Sequence, residues 1–137
     1  MPNWCQNTLL IRSVREEDVN DLIKIFESKE PFEAIRPQPE DLMRFTDSAW
    51  YNWRLSNWGC KWDTKDALIH HFPETETTLA AARIEFETPW GPPNGIFTQL
   101  VNDYPCCQFE LIYNEPSMCI RGTYSSDDLR ADLIDIS

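Results

Sequence analysis

Glycine is scarce in this chain, which has only four glycines among 137 residues. A loop that cradles a phosphate needs several closely spaced glycines, so that the backbone can approach the anion. The segment from Gly91 to Gly95 comes nearest to such a loop, but it matches neither the Walker pattern nor the dinucleotide fingerprint. The sequence therefore excludes the common nucleotide-binding loops.

Long apolar runs are absent as well, since the longest extend over only a few residues. A membrane-spanning helix needs about 20 consecutive apolar residues. Residues 1–20 carry polar and acidic groups where a secretory signal peptide would have a basic segment followed by an apolar one. We therefore expect neither a membrane span nor a signal peptide, and we expect a cytoplasmic location.

Basic residues are outnumbered, with 12 lysines and arginines against 23 acidic residues and a net charge of -11. An acidic surface repels the phosphates of duplex nucleic acid, so we expect no direct binding of duplex DNA. The basic residues are unevenly distributed. From Arg44 to Lys65 there are four of them against two acidic residues, which gives this stretch a local charge of +2.

Histidine and cysteine are few and poorly placed for metal binding or catalysis. The two histidines, His70 and His71, are adjacent, and adjacent residues of a strand point to opposite faces. The five cysteines are an odd number without the spacing of a disulfide framework, which indicates reduced thiols. Cys60 lies beside Lys61, which could lower its pKa, but a lone thiol without a base is weak evidence for a nucleophile. We therefore predict no metal site, no cofactor and no catalytic residue.

The residues that are present predict one folded domain over residues 1–137. The chain is 42% hydrophobic and 12% aromatic, which is enough to form a substantial core at this length. Residues 3–12 alternate as a strand, with Cys5, Asn7, Leu9 and Ile11 on one face and Trp4, Gln6, Thr8 and Leu10 on the other. Ser13 and Glu16 then form a capping box before a helix.

Periodicity also predicts the order of the later elements. Prolines make residues 30–46 an irregular connection, and Asp47 or Ser48 then caps a short helix that ends near Gly59. The rest reads, in order, as strands over residues 60–72 and 79–88, a helix after Pro92-Pro93, a strand over 109–113, its hairpin partner over 118–124, and a short acidic helix over 125–137. This order predicts an α+β, ferredoxin-like split βαβ with an antiparallel sheet, helices on one face, a tryptophan-rich helical insertion and an extra C-terminal strand.

The insertion is the most unusual part of the chain, since residues 50–62 hold four of the six tryptophans. In one interpretation the six indoles form a second core layer, with Trp58 and Trp62 largely buried. Asn7 and Asn57 then form hydrogen bonds to loop backbone, and Lys61 lies between indoles. In the other, two or three rings stay exposed beside Arg54 and Lys61 as a binding surface. The candidate binding residues are Trp50, Trp53, Arg54, Asn57, Trp58, Lys61, Trp62 and Asp63.

Three motifs in order identify a resemblance that spans most of the chain. They are Met1-Pro-Asn-Trp-Cys-Gln-Asn7, the run from Trp50 to Asp63, and Phe86-x-Thr-x-Trp-x-Pro-Pro93. Together they resemble the YubB-type ferredoxin-like domains, also described as Api92-like. The resemblance implies a ferredoxin-like fold and frequent carriage on plasmids, phages and other mobile elements, but no activity. Cys60 departs from the family pattern, which usually has threonine there.

Two functional hypotheses from different classes remain open at this point. The first is a non-catalytic binding domain that acts through protein contacts, of which a DNA mimic with carboxylates along one elongated face is a variant. The second is a small-molecule-binding or enzymatic domain whose pocket is walled by tryptophans and gated by Arg54, Lys61 and Asp63. The partner is accordingly a protein or a small anionic ligand. A pocket of a few hundred Å³ beside Trp53, Trp58 and Trp62 would favour the second hypothesis.

Overall fold

The computed structural model describes residues 3–44 and 48–136, which form five strands and five helices with two short 3₁₀ turns. The strands are β1 (Trp4–Ser13), β2 (Leu68–Phe72), β3 (Ala80–Pro89), β4 (Cys107–Glu115) and β5 (Ile120–Ser125). The helices are α1 (Glu16–Glu27), α2 (Pro31–Ile35), α3 (Ala49–Asn57), α4 (Asn94–Asp103) and α5 (Ser126–Ile136). The 3₁₀ turns are Glu40–Arg44 and Pro116–Met118. Within this described part of the chain, no helix has the length and apolar character needed to cross a membrane.

The strands form one antiparallel sheet in the order β2-β3-β1-β4-β5. The first four strands, with α1 after β1 and α4 after β3, have the ferredoxin-like topology. β5 extends the sheet beyond β4 as a hairpin partner. The fold class and the extra C-terminal strand predicted from the sequence are therefore confirmed.

One face of the sheet is covered by helices and the other is open. The face of β1 that holds Cys5, Asn7, Leu9 and Ile11 is buried, and α1 and α4 pack on this same side. The ring centroids of Phe26 in α1 and Phe86 in β3 are 5.5 Å apart, and those of Phe97 in α4 and Phe109 in β4 are 6.5 Å apart. The open face is therefore free of α1 and α4, and it carries Trp4, Gln6 and Phe72.

Three local predictions were wrong, at Ser13, at residues 30–46 and at residues 60–72. The Ser13 hydroxyl donates to the Cys106 carbonyl and accepts from the Arg15 amide, so it belongs to β1 and does not cap α1, which begins at Glu16. Residues 30–46 are not wholly irregular, since Pro31 is the first residue of α2. The strand predicted over residues 60–72 begins only at Leu68.

The insertion is held to the rest of the domain at the end of α3. The Trp58 carbonyl accepts hydrogen bonds from the Gly95 amide at 3.1 Å and the Ile96 amide at 3.2 Å, which satisfies two free donors at the start of α4. A Cβ atom at Gly95 would lie 2.2 Å from the Asn57 carbonyl oxygen, so this close approach requires glycine.

The two ends of α3 differ from each other. Gly59 follows the helix with φ +92°, as expected for a residue just after a helix. Of the two predicted caps of α3, Asp47 lies outside the described residues, and the Ser48 side chain makes no capping hydrogen bond.

Candidate binding surface

Trp58 belongs to the core, as the first interpretation of the insertion predicted. Its side chain is only 1% exposed, and its indole nitrogen donates to the Arg36 carbonyl at 2.9 Å. The rings of Phe32 and Trp53 each meet it edge-on with centroids 5.9 Å away. A buried indole that is hydrogen-bonded and packed on two sides stabilises the fold and is inaccessible to a partner.

Arg54 is engaged within the insertion itself. Its guanidinium carbon lies 5.1 Å from the centroid of the Trp50 ring and 4.8 Å from that of Trp58, so the cation contacts both indoles. Its Nε donates to Gln38 Oε1 at 2.9 Å and its Nη1 to the Lys61 carbonyl at 3.0 Å. These contacts fix α3 to the segments on either side of it and use donors that an external anion would need.

Asp63 is also committed to the fold. Its Oδ1 accepts from the amides of Phe32 and Thr64 at 2.9 and 2.8 Å, and its Oδ2 accepts from the Glu33 amide at 2.9 Å. Asp63 therefore satisfies the free amides at the start of α2. Burial raises the pKa of Asp63 above its ordinary value, while the three amides oppose that rise.

Asn57 and Cys60 have local roles as well. Asn57 Nδ2 donates at 2.8 Å to the Trp53 carbonyl within α3, not to loop backbone as predicted. Burial raises the pKa of the Cys60 thiol to about 12, and nearby Asp63 adds to the effect. Activation of this thiol by a neighbouring cation is therefore contradicted, because burial and Asp63 outweigh the lowering effect of Arg54 on its pKa.

Trp62 contradicts the core interpretation. It is 38% exposed, and Trp4 and Trp90 are 41% and 48% exposed, so the six tryptophans do not form one buried layer. The centroids of the Trp4 and Trp62 rings are 6.1 Å apart and their planes make an angle of 38°. Lys61 Nζ lies 4.3 Å from the centroid of Trp62, and this is its only indole contact in the part of the chain that the structure describes. Trp62 lies in residues 60–67, which form a loop instead of the expected strand.

Trp4 and Trp62 line a groove of about 890 Å³ at the open edge of β3, beyond the start of β2. We call it the indole groove. Its lining is formed by Trp4, Gln6, Lys29, Glu30, Trp62, Asp63, Thr64, Lys65, Asp66, Glu85, Phe86 and Glu87. The Thr64 hydroxyl donates to the Glu87 carbonyl at 3.0 Å, which holds the loop against the strand. Trp53 and Trp58, beside which a pocket would favour the second hypothesis, do not line the groove.

The indole groove is acidic, although the sequence around Trp62 is locally positive. Five carboxylates and two lysines line it, because folding brings Glu30, Glu85 and Glu87 to the loop. Sequence reasoning missed these residues and did not include Trp4 among the candidate binding residues. The signal for Trp4 was present in the alternation of β1, which placed it on the face opposite Cys5.

The described residues contain no group of three or more histidine, cysteine, aspartate and glutamate side chains that could hold a metal ion. His70 pairs with Arg83 and His71 with Ala82, so the two histidines point to opposite faces of the sheet, as expected. The register therefore keeps the two rings from sharing one ion.

Comparisons with known proteins agree with this architecture. The family model described as the ferredoxin-like domain in Api92-like protein matches residues 57–136. The crystal structure of a protein api92 from Yersinia pseudotuberculosis is similar with a TM-score of 0.64 over 93% of this chain and 96% of that chain. The two sequences are 11% identical, so this likeness shows a shared fold. No curated protein matches the sequence.

Proposed function

Because this chain belongs to the Api92-like family, whose model matches residues 57–136, we propose that it is a non-catalytic binding domain that acts through protein contacts. The observation that carries the proposal is the exposed pair of indoles, Trp4 and Trp62, at the rim of the indole groove. A cytoplasmic location and an origin on a mobile element form part of the proposal, the latter because the family resemblance implies it.

Exposed indoles favour a contact surface for energetic reasons. Two large, stiff rings that remain 41% and 38% exposed leave apolar area in water, and a partner would remove that area at little cost in side-chain entropy. Tryptophan is among the residues that contribute most to protein interfaces. The loop that carries Trp62 is anchored by Asp63 and Thr64, so the rings are held in place before a partner arrives.

The alternative, a small-molecule-binding or enzymatic pocket walled by the insertion, has less support. Two of its three proposed gate residues, Arg54 and Asp63, are hydrogen-bonded inside the fold. The groove lies beside Trp62 alone among the tryptophans of residues 50–62. A small anion would also meet more carboxylates than lysines there.

The DNA-mimic variant is also less favoured. A mimic needs its carboxylates along one elongated face, in place of the phosphates of a duplex. In this chain exposed acidic residues occur both on α1 and on the open face of the sheet, for example at Glu17 and at Glu110. These positions belong to different surfaces, which supports ordinary protein contacts.

The proposal can be tested by affinity capture from a lysate of the cells that carry the gene, using wild type and matched variants. We expect Trp4→Ala/Trp62→Ala to lose the proteins that wild type captures. Phe72→Ala is the control, because Phe72 is an aromatic residue, 52% exposed, that lies outside the groove. Equal capture by wild type and the double variant would contradict the proposal, as would loss of capture in the control alone.

A further inference from the structure

We infer that the indole groove binds a basic segment of its partner protein, with an arginine or lysine side chain against the exposed indoles and near the carboxylates of the groove. The inference deepens the proposed function and rests on it, since it names the chemistry of the segment that the surface recognises. Its two independent supports are the charge of the groove and the character of its rings.

The charge of the lining favours a cation. Its five carboxylates and two lysines give the groove a formal charge of -3, within a chain whose net charge is -11. Asp63 is occupied by three amides, but Glu30 and Asp66 are exposed. Glu87 is exposed as well, and its Oε1 accepts a hydrogen bond from Gln6 Nε2 at 3.2 Å. A basic segment would therefore find exposed carboxylates beside the rings, where electrostatic complementarity assists association.

The rings favour a cation for a second reason. The face of an indole carries partial negative charge, and an arginine or lysine side chain also contributes apolar area to the contact. The same chain contains two internal examples, namely Arg54 against Trp50 and Trp58, and Lys61 against Trp62. Trp4 has no comparable cation over its ring among the described residues, so its exposed surface is available to a partner.

A change at Lys61 distinguishes a basic segment from an anionic ligand, because its positive charge has opposite effects on the binding of the two. Lys61 contacts Trp62 next to the groove and is not among the lining residues. An anionic ligand would be attracted by its ammonium group, so removing the charge would weaken binding. A basic segment is repelled by it, so removing the charge would strengthen binding. Lys61→Met makes this distinction, because methionine keeps an unbranched apolar side chain against Trp62.

The experiment measures the dissociation constant of a fluorescent peptide, acetyl-Gly-Arg-Gly-Gly-Arg-Gly-amide, by anisotropy at low salt. Two further peptides test the role of charge. One has citrulline in place of arginine, which removes the charge at nearly constant size, and the other has glutamate, which reverses the charge. Glu87→Gln removes one carboxylate of the groove. Its matched control is Glu110→Gln, which removes the same charge from an exposed position on the open face outside the groove.

We expect the arginine peptide to bind wild type more tightly than the citrulline and glutamate peptides do. Binding of the arginine peptide should be about threefold weaker with Glu87→Gln and about tenfold weaker with Trp4→Ala/Trp62→Ala. It should be about twofold tighter with Lys61→Met. Glu110→Gln should change the constant less than twofold. Weaker binding with Lys61→Met, or equal effects of Glu87→Gln and Glu110→Gln, would overturn the inference. If Trp4→Ala/Trp62→Ala loses the protein that wild type captures, but the arginine, citrulline and glutamate peptides bind wild type equally, the inference fails and the proposed function stands.

Discussion

Asp63 Oδ1 accepts a hydrogen bond from the backbone amide of Phe32 at 2.9 Å, across 31 residues of sequence. This contact ties the loop after α3 to the start of α2, and the tryptophans on either side of Cys60 and Lys61 have different surroundings. Trp58, before the loop, stays in the core, whereas Trp62 lies at the edge of the indole groove. One short segment thus contributes both to the stability of the domain and to its candidate surface.

Replacing Asp63 with alanine should destabilise the protein. The change leaves the amides at the start of α2 without their acceptor, and loss of a helix cap costs about 1 to 2 kcal/mol. Denaturant titration at neutral pH measures the free energy of unfolding. Lys65→Ala is the control, since Lys65 is exposed in the same loop. A loss no larger than that of the control would show that the cap contributes little.

Trp58 and Trp62 should differ sharply in their contribution to stability. Trp58 is 1% exposed, so Trp58→Ala leaves a cavity and should lower the free energy of unfolding by about 3 to 5 kcal/mol. Trp62 is 38% exposed, so Trp62→Ala should cost at most about 2 kcal/mol. The same titration checks both variants. Equal losses would mean that the two indoles are equally buried.

The five free cysteines should react in two groups. Cys106 and Cys119 are exposed, whereas Cys5, Cys60 and Cys107 are buried and have raised pKa values. Brief treatment of the folded protein with iodoacetamide at mildly alkaline pH should therefore modify Cys106 and Cys119 first, because the thiolate is the reactive form. Peptide mass spectrometry identifies the modified sites. Rapid modification of Cys60 in the folded state would contradict its burial, and the unfolded protein serves as the fully reactive control.

Glu115 should make stability depend on pH. Hydrogen bonds from the Ser117 hydroxyl and from the amides of Met118 and Ser117 lower its pKa below the ordinary value of 4.5. The ionised form is thus favoured by folding, so its contribution is present above about pH 4.5 and is lost as pH falls through the folded pKa. We expect Glu115→Gln to reduce the loss of stability on acidification from about pH 6 to pH 3, as followed by denaturant titration. An identical pH profile for variant and wild type would refute this role.

Much of the sheet could be predicted from the sequence, because its strands have a local signal. The alternation of buried Ile84 and Phe86 with charged neighbours in β3 depends only on which side each residue faces. The loop around Trp62 could not be predicted, because Asp63 is held by amides 30 and 31 residues away. The acidity of the indole groove could not be predicted for the same reason, since Glu85 and Glu87 belong to β3, which is distant from Trp62 in the sequence.

The most direct test of the binding surface is fluorine NMR of the protein labelled with 5-fluorotryptophan, with resonances assigned by single tryptophan-to-phenylalanine changes. Addition of the partner recovered by affinity capture should shift or broaden the resonances of Trp4 and Trp62 and leave that of the buried Trp58 unchanged. Binding of the partner with no change at Trp4 and Trp62 would show that it uses another surface, and it would contradict the account.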